Sequence, residues 1–271
     1  MPTPGAPSPF PSLANFRDLG YWVGDGEKVV RPATIYRTND FQTIDDADRA
    51  GLAELALQSI VDLRTSTERA SSPDPKFPGV TEVVLDVLAD TKSIAMPANL
   101  GKILADPTVV QQMSAELSVD KARELMASTY RDFITLDSAK NAFSAFYTEL
   151  LDGELAPVLF HCTTGKDRTG WTAATFLSLM GVDREDVYRE YLLTNDRLVP
   201  SLKPIFDRFA AAGGDPDLLL PFLGVDETYL DAAFTEMEKN RGTLEHYFTE
   251  ALGVDLAAQE ALRERYLLAP A

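Results

Sequence analysis

Pro157-Val158-Leu159-Phe160-His161-Cys162-Thr163-Thr164-Gly165-Lys166-Asp167-Arg168-Thr169-Gly170-Trp171 is the stretch that decides how this chain folds. Pro157 to His161 is an apolar run, and from Trp171 onward Ala174, Leu177 and Met180 recur at helical spacing. That pattern reads as a strand, a tight loop and a helix in immediate succession. In an open α/β sheet such a junction lies at the C-terminal edge of the strands, where ligands gather. Working outward, further strands are expected at Thr34 to Thr38, Ser59 to Arg64 and Thr81 to Val87, with Val29 and Val30 as a short edge strand. Helical patterns separate them. Asp45 to Leu57 carries Leu52, Leu55 and Ala56 on one face. A helix capped by Asp137 turns Ala142, Phe143, Phe146, Tyr147, Leu150 and Leu151 inward before it stops at Gly153. The alternation predicts an α/β fold with a central, mostly parallel sheet flanked by helices.

Beyond Gly170 the pattern is entirely helical. A helix to Met180 runs into Gly181, Asp183 caps a second through Leu193, and further amphipathic segments follow between Pro200 and Leu268. Residues from about 91 to 135 interrupt the alternation. Asp106-Pro107 begins one helix there and Ser118 or Asp120 another, read as an insertion lying on the sheet or over the site. With five prolines in its first eleven residues, the stretch 1–13 is expected to be a flexible arm. Residues 14–271 are then read as a single domain.

At 271 residues and 45% hydrophobic content, the chain can bury a full core. No run approaches the ~18 apolar residues of a membrane span, and the N-terminus lacks the basic and apolar regions of a Sec signal. Cytoplasm is the default location, with export by another route left open, as is the oligomeric state. The single cysteine rules out an intramolecular disulfide framework, and with two histidines besides neither a metal site nor another cofactor is expected. A net charge of −17 argues against nucleic acid or an anionic membrane as a general surface partner. An anionic substrate would therefore need a local positive island.

The residues from His161 to Gly170 supply one. A helix starting near Arg168 directs free N–H groups and its positive end at whatever the preceding loop holds. The same field favours the thiolate of Cys162, the soft nucleophile. Arg168, six positions on, carries a guanidinium fork that matches two phosphate oxygens and keeps its charge. Backbone N–H groups of Thr163, Thr164, Gly165, Lys166, Asp167 and Arg168 would hold the remaining oxygens. Thr169 stands where its hydroxyl can donate to the sulfur, and His161 is read as orienting the loop. A cysteine and an arginine at this spacing alone would often be chance, the cysteine a small buried hydrophobe. The additional residues in a strand-to-helix context carry the reading. A nucleotide-binding loop fails because Asp167, and not Ser or Thr, follows Gly165-Lys166. Arg17, Arg37 and Arg64 could line the island or serve as ion pairs with the abundant carboxylates, with Asp18 orienting one of them. Two other functions use a similar loop: a silent phosphate-binding module, and sulfur transfer through a persulfide.

Four further segments join the loop: Ala14 to Gly20, Arg31-Pro32 leading to Thr38, Asp62 to Thr65 with Glu68, and Tyr191 to Asp196. Together they resemble the bacterial branch of the protein tyrosine and dual-specificity phosphatases. The resemblance implies a phosphocysteine intermediate, no metal cofactor and activity on phosphotyrosine that extends to phosphoserine, phosphothreonine or phosphoinositides. It also implies that the insertion near 91–135 acts as a helical lid. A lysine at the position of Lys166 is similar to the loop of lipid phosphatases, where it meets extra phosphates; equally, it would serve to raise the local potential. Neither Trp22 nor Trp171 is followed by Pro-Asp, so the acid loop of ordinary tyrosine phosphatases is absent. The leaving oxygen still needs a carboxylic acid. Asp90 ranks first for it, then Asp167, then Asp86.

Overall fold

The computed structural model describes residues 3–91, 106–152 and 157–269. Its centre is strand β6 (Val158–His161), flanked by β3 (Ile35–Thr38) and β4 (Ser59–Asp62), with β5 (Thr81–Val84) outside β4. These four run parallel, and β1 (Arg17–Asp18) adds an antiparallel edge on β3. The mostly parallel sheet flanked by helices is the one expected. Every residue of β3, β4 and β6 is buried, as a parallel sheet covered on both faces requires. Register fixes the site: Thr38, His161 and Asp62 lie level, so the chain leaves all three strands at one edge and the loop after His161 falls in the middle. Strand β5 is shorter than the expected run to Val87, and Asp86 lies beyond it. Val29–Val30 forms β2 in a separate pair with β7 (Leu267–Leu268).

Side chains alternate across the sheet with a period of two. Ile35, Val61, Val158 and Phe160 face the larger core, while Tyr36, Ile60 and Leu159 face a smaller one that includes Phe10, Leu13, Phe16 and Leu52. The smaller face is covered by one helix, Asp46–Glu54, whose N-terminus Asp45 caps by accepting from Asp48 N at 2.8 Å. That helix leaves apolar surface open, and the proline-rich arm completes the cover. Phe10 and Leu13 are buried, and Phe10 meets the edge of Phe16 with ring centres 4.7 Å apart. Ser12 N donates to Asp48 Oδ2 at 2.7 Å, and Arg197 donates to Gly5 O at 3.0 Å. Residues 3–13 of the expected flexible arm are thus packed structure, because Phe10 and Leu13 have a face to bury; residues 1 and 2 lie outside the described residues.

Helices Pro107–Glu116 and Val119–Thr135 occupy the expected insertion, capped by Asp106 and Ser118; residues 92–105 of that expectation lie outside the described residues. Val119–Thr135 is built into the main core through Ala122, Met126, Tyr130, Phe133 and Ile134. Helix Asp137–Leu151 follows it at once, and Asp137 is its first residue and not its cap. Gly153, expected to stop this helix, lies outside the described residues. Helices Arg168–Leu179, Arg184–Arg197, Lys203–Ala211, Glu227–Arg241 and Leu256–Tyr266 make up the helical C-terminal half. No helix among the described residues is long and apolar enough to cross a membrane. Anchoring of the arm predicts that Phe10→Ala lowers stability by ~3 kcal/mol, read from the midpoint of urea unfolding. A change below ~0.5 kcal/mol, usual for an exposed side chain, would contradict it.

Candidate active site

Residues 162–167 form a loop in which the carbonyl groups of Thr163, Thr164 and Gly165 find donors on its outer side. Thr163 O accepts from Asp40 N at 3.0 Å, and Thr164 O from Asn15 Nδ2 at 3.0 Å. Gly165 O accepts from Asn15 Nδ2 at 2.9 Å and from Arg37 Nη2 at 2.6 Å. In a planar trans peptide the N–H points opposite to the C=O. The N–H groups of Thr164, Gly165 and Lys166 therefore face the interior of the loop, and they have no acceptor among the described residues. Gly165 has φ +66°, and a Cβ there would stand 2.2 Å from Thr38 O, so only glycine lets the loop close on the end of β3.

Beneath the loop lies a buried charge layer. Glu190 takes Arg17 Nε at 2.5 Å and Arg37 Nη1 at 2.7 Å, and Asn15 Oδ1 accepts from Arg17 Nη1 at 2.6 Å. Burial opposes the charge of Glu190, yet the two guanidinium groups hold its carboxyl below the usual range. Burial and the neighbouring Arg37 bring Arg17 down to about 10, so Arg17 stays charged at neutral pH. Neither arginine lines the site or the surface: they support it from below. Asp18 orients no arginine; it accepts from Gly20 N and Ala33 N, each at 2.8 Å, and shapes the turn after β1.

Above, Glu68 holds Arg168. Arg168 Nη1 and Nη2 donate to the two oxygens of Glu68, both at 2.7 Å, and Nη1 also reaches Leu63 O at 3.3 Å. Thr163 Oγ1 donates to Glu68 Oε1 at 2.5 Å. Glu68 sits on helix Ser66–Ser71, where it closes a capping box with Thr65. Burial works against both charges, but Cys162 and Glu68 raise Arg168 and Arg168 depresses Glu68 well below the carboxylate range. A guanidinium has five N–H groups. Glu68 and Leu63 take three, leaving the side-on pair, Nε–H and one Nη2–H, without an acceptor among the described residues. That pair is spaced for two oxygens of a phosphate.

Cys162 is 1% exposed at the start of the loop. Thr169 Oγ1 is buried and forms no hydrogen bond among the described residues, including none to the sulfur. His161 lies behind the loop, its Nδ1 3.2 Å from Cys162 O and its Nε2 3.2 Å from Asp74 Oδ2. Arg64, read either as lining the positive island or as an ion pair, is turned into a carboxylate cluster. Its Nη2 is 2.8 Å from Asp62 and 2.7 Å from Asp74, and Asp40 lies 3.7 Å from Nη1. Asp62, Asp74 and His161 are near enough together to hold a metal ion, but Arg64 already meets both carboxylates.

The three candidate acids have different surroundings. Asp90 is exposed and accepts from Ser138 N at 2.7 Å, so it caps helix Asp137–Leu151. Asp86 accepts from Ser66 N at 3.0 Å and caps the helix that carries Glu68. Asp167 belongs to the loop itself. Its Oδ1 accepts from Lys166 Nζ at 2.7 Å and from Tyr130 Oη at 3.0 Å, and Tyr130 Oη lies 2.6 Å from Tyr191 Oη. Lys166 is fully buried in this arrangement. Sequence reasoning passed over Glu190 and Tyr130 altogether and gave no role to Asn15, Glu68 or Tyr191. Glu68 had a readable signal in the capping box Thr65-x-x-Glu68; Tyr130 had none, since its helical spacing matches that of core residues. Burial pushes Asp40 up from 3.8 to about 6. The folded chain therefore holds that proton more tightly, and stability falls as pH rises through this window. Asp40→Asn removes the effect: the variant's stability should gain on the parent's between pH 4 and 6 and exceed it at pH 7, read by urea unfolding. A variant less stable at pH 7 would contradict this.

Known proteins are similar to this chain over much of its length. A chain of Cupriavidus necator whose name carries the words tyrosine-protein phosphatase is 32% identical over 263 residues, 95% of this chain and 87% of that one. The triple specificity protein phosphatase PtpB of Mycobacterium tuberculosis is 31% identical over 273 residues, 93% of this chain and 96% of PtpB. A tyrosine-protein phosphatase of Nostoc commune is 28% identical over 158 residues, 58% of this chain and 47% of that one. A model described as the tyrosine phosphatase family matches residues 8–268. Because that match takes in the loop, Glu68 and the charge layer beneath together, the chain belongs to the tyrosine phosphatase family and is a phosphoric monoester hydrolase of the protein-tyrosine phosphatase type.

Proposed function

We propose that this phosphatase hydrolyses phosphotyrosine in proteins, and also phosphoserine and phosphothreonine, through a phosphocysteine intermediate on Cys162. The observation that carries the reading is the side-on edge of Arg168, which has no acceptor among the described residues, beside a buried loop with three inward N–H groups. A phosphoryl group in the loop has its equatorial oxygens bound by these donors and its phosphorus in line with the sulfur. The sulfur lone pair forms the S–P bond as the P–O bond to the tyrosine oxygen breaks. Asp167 gives that oxygen its proton. Water then attacks phosphorus, Asp167 takes a proton from the water, and the thiolate leaves. Asp167 is preferred to Asp90 and Asp86 because each of those already caps a helix.

A phosphoinositide substrate is the second reading, favoured by the lysine at position 166. It requires Lys166 to leave Asp167, since its ammonium group is buried against that carboxylate. Relative rates on a phosphotyrosine peptide and on an inositol phospholipid separate the two.

The chain is expected to hydrolyse p-nitrophenyl phosphate in a vanadate-sensitive reaction, with Cys162→Ser reducing turnover at least ~10³-fold. Retained turnover in that variant, or phosphate binding without turnover in the parent, would reject the mechanism. On phenyl phosphate, Asp167→Asn should lower kcat/KM by ~10² to 10⁴, while Asp90→Asn and Asp86→Asn leave it within a few fold. A full loss in either of the latter would move the acid there.

A further inference from the structure

Asp167 occupies the N-cap position of helix Arg168–Leu179 but makes no side-chain hydrogen bond to that helix. An aspartate there ordinarily accepts from the first free N–H groups. Its carboxylate instead faces the core, where Oδ1 receives Lys166 and Tyr130 together. Oδ2 has no partner among the described residues, and the side chain is 16% exposed. One oxygen is held by the protein and the other is open.

Tyr130 comes from helix Val119–Thr135, far from the loop in sequence. Burial raises both Tyr130 and Tyr191 well above 10, with the Asp167 charge adding to it, so both phenols keep their hydrogens. Tyr130 has one hydrogen to give and accepts on its oxygen. With Asp167 ionised, that hydrogen goes to Oδ1, and Tyr191 then donates to Tyr130. Tyr191 is itself fixed against the helix: a Cβ at Gly170 would stand 2.9 Å from its ring. When Asp167 takes up a proton, the ammonium group of Lys166 at 2.7 Å makes Oδ1 the wrong oxygen for it. The proton belongs on Oδ2.

Building on the reading of Asp167 as the acid, we infer that Tyr130, backed by Tyr191, is its positioning residue: it pins Oδ1 so that the open oxygen carries the proton to the leaving group. The insertion helix is thereby a working part of the loop. Tyr130 touches no reacting atom in this scheme, and its effect passes entirely through Asp167.

The test is kcat/KM for phenyl phosphate and p-nitrophenyl phosphate, since a poor leaving group depends on the acid and a good one much less. Tyr130→Phe should lower kcat/KM for phenyl phosphate ~10-fold or more, as a misplaced catalytic group does, and for p-nitrophenyl phosphate less than ~3-fold. Inhibition by vanadate should stay unchanged, which also reports an intact fold. Tyr191→Phe should show the same pattern more weakly, and is the second variant if Tyr130→Phe does not fold. Added to Asp167→Asn, Tyr130→Phe should have no further effect. Equal loss on both esters, no loss, or a multiplicative loss on top of Asp167→Asn would overturn the inference. If Asp167→Asn itself loses equally on both esters, the acid assignment falls first; if only Tyr130→Phe does, the positioning role alone falls.

Discussion

The outward turn of three carbonyl groups, those of Thr163, Thr164 and Gly165, is the constraint on which the rest of the structure depends. A short loop with its carbonyls inward would repel an anion. Here each carbonyl has a donor on the outside, Asp40 N, Asn15 Nδ2 and Arg37 Nη2, and the N–H groups have no choice but to face in. Two of those donors need holding themselves. Glu190 does so for Arg37, and for Arg17, which fixes Asn15. Charges buried this deeply are favourable only when every partner is present, so the layer functions as a unit. It also leaves two guanidinium groups against one carboxylate directly beneath the loop.

That excess is how a chain of net charge −17 keeps a place for an anion. The arginines near the loop are distributed by their carboxylates. Arg64 is surrounded by Asp40, Asp62 and Asp74, Arg17 and Arg37 share Glu190, and Glu68 holds Arg168 by one edge only. The last of these retains donors for a ligand. Glu68 thus orients the guanidinium without neutralising its role, and the same carboxylate anchors Thr163 at the other end of the loop. Bidentate contact restricts Arg168 to one plane, so the free edge is organised before a substrate arrives.

The parts of this arrangement that were legible in the sequence are local ones. An apolar run, a glycine-containing loop and a helical repeat from Trp171 specify strand, turn and helix by short-range physics, and the parallel sheet follows from their alternation. What was not legible depends on contacts between distant segments. Tyr130 keeps the same spacing as Met126 and Phe133, so nothing distinguishes a phenol that meets Asp167 from one that fills the core. Arg64 follows a strand in the way a site residue would, and only the fold shows three aspartates converging on it. Asp90 follows a strand as a loop acid would, and only the fold shows that it also accepts from Ser138 N at the start of helix Asp137–Leu151. The first residues looked loose because proline dominates their composition, yet Phe10 and Leu13 find the face of the sheet that one helix leaves open.

The most direct measurement of the central claim is a crystal structure of the protein with vanadate bound. The account predicts vanadium bonded to Cys162 Sγ, with equatorial oxygens on the N–H groups of Thr164, Gly165 and Lys166 and on the side-on edge of Arg168, while Glu68 keeps its end-on grip. Vanadate bound elsewhere, or a loop whose carbonyls turn inward with Arg168 released from Glu68, would contradict it.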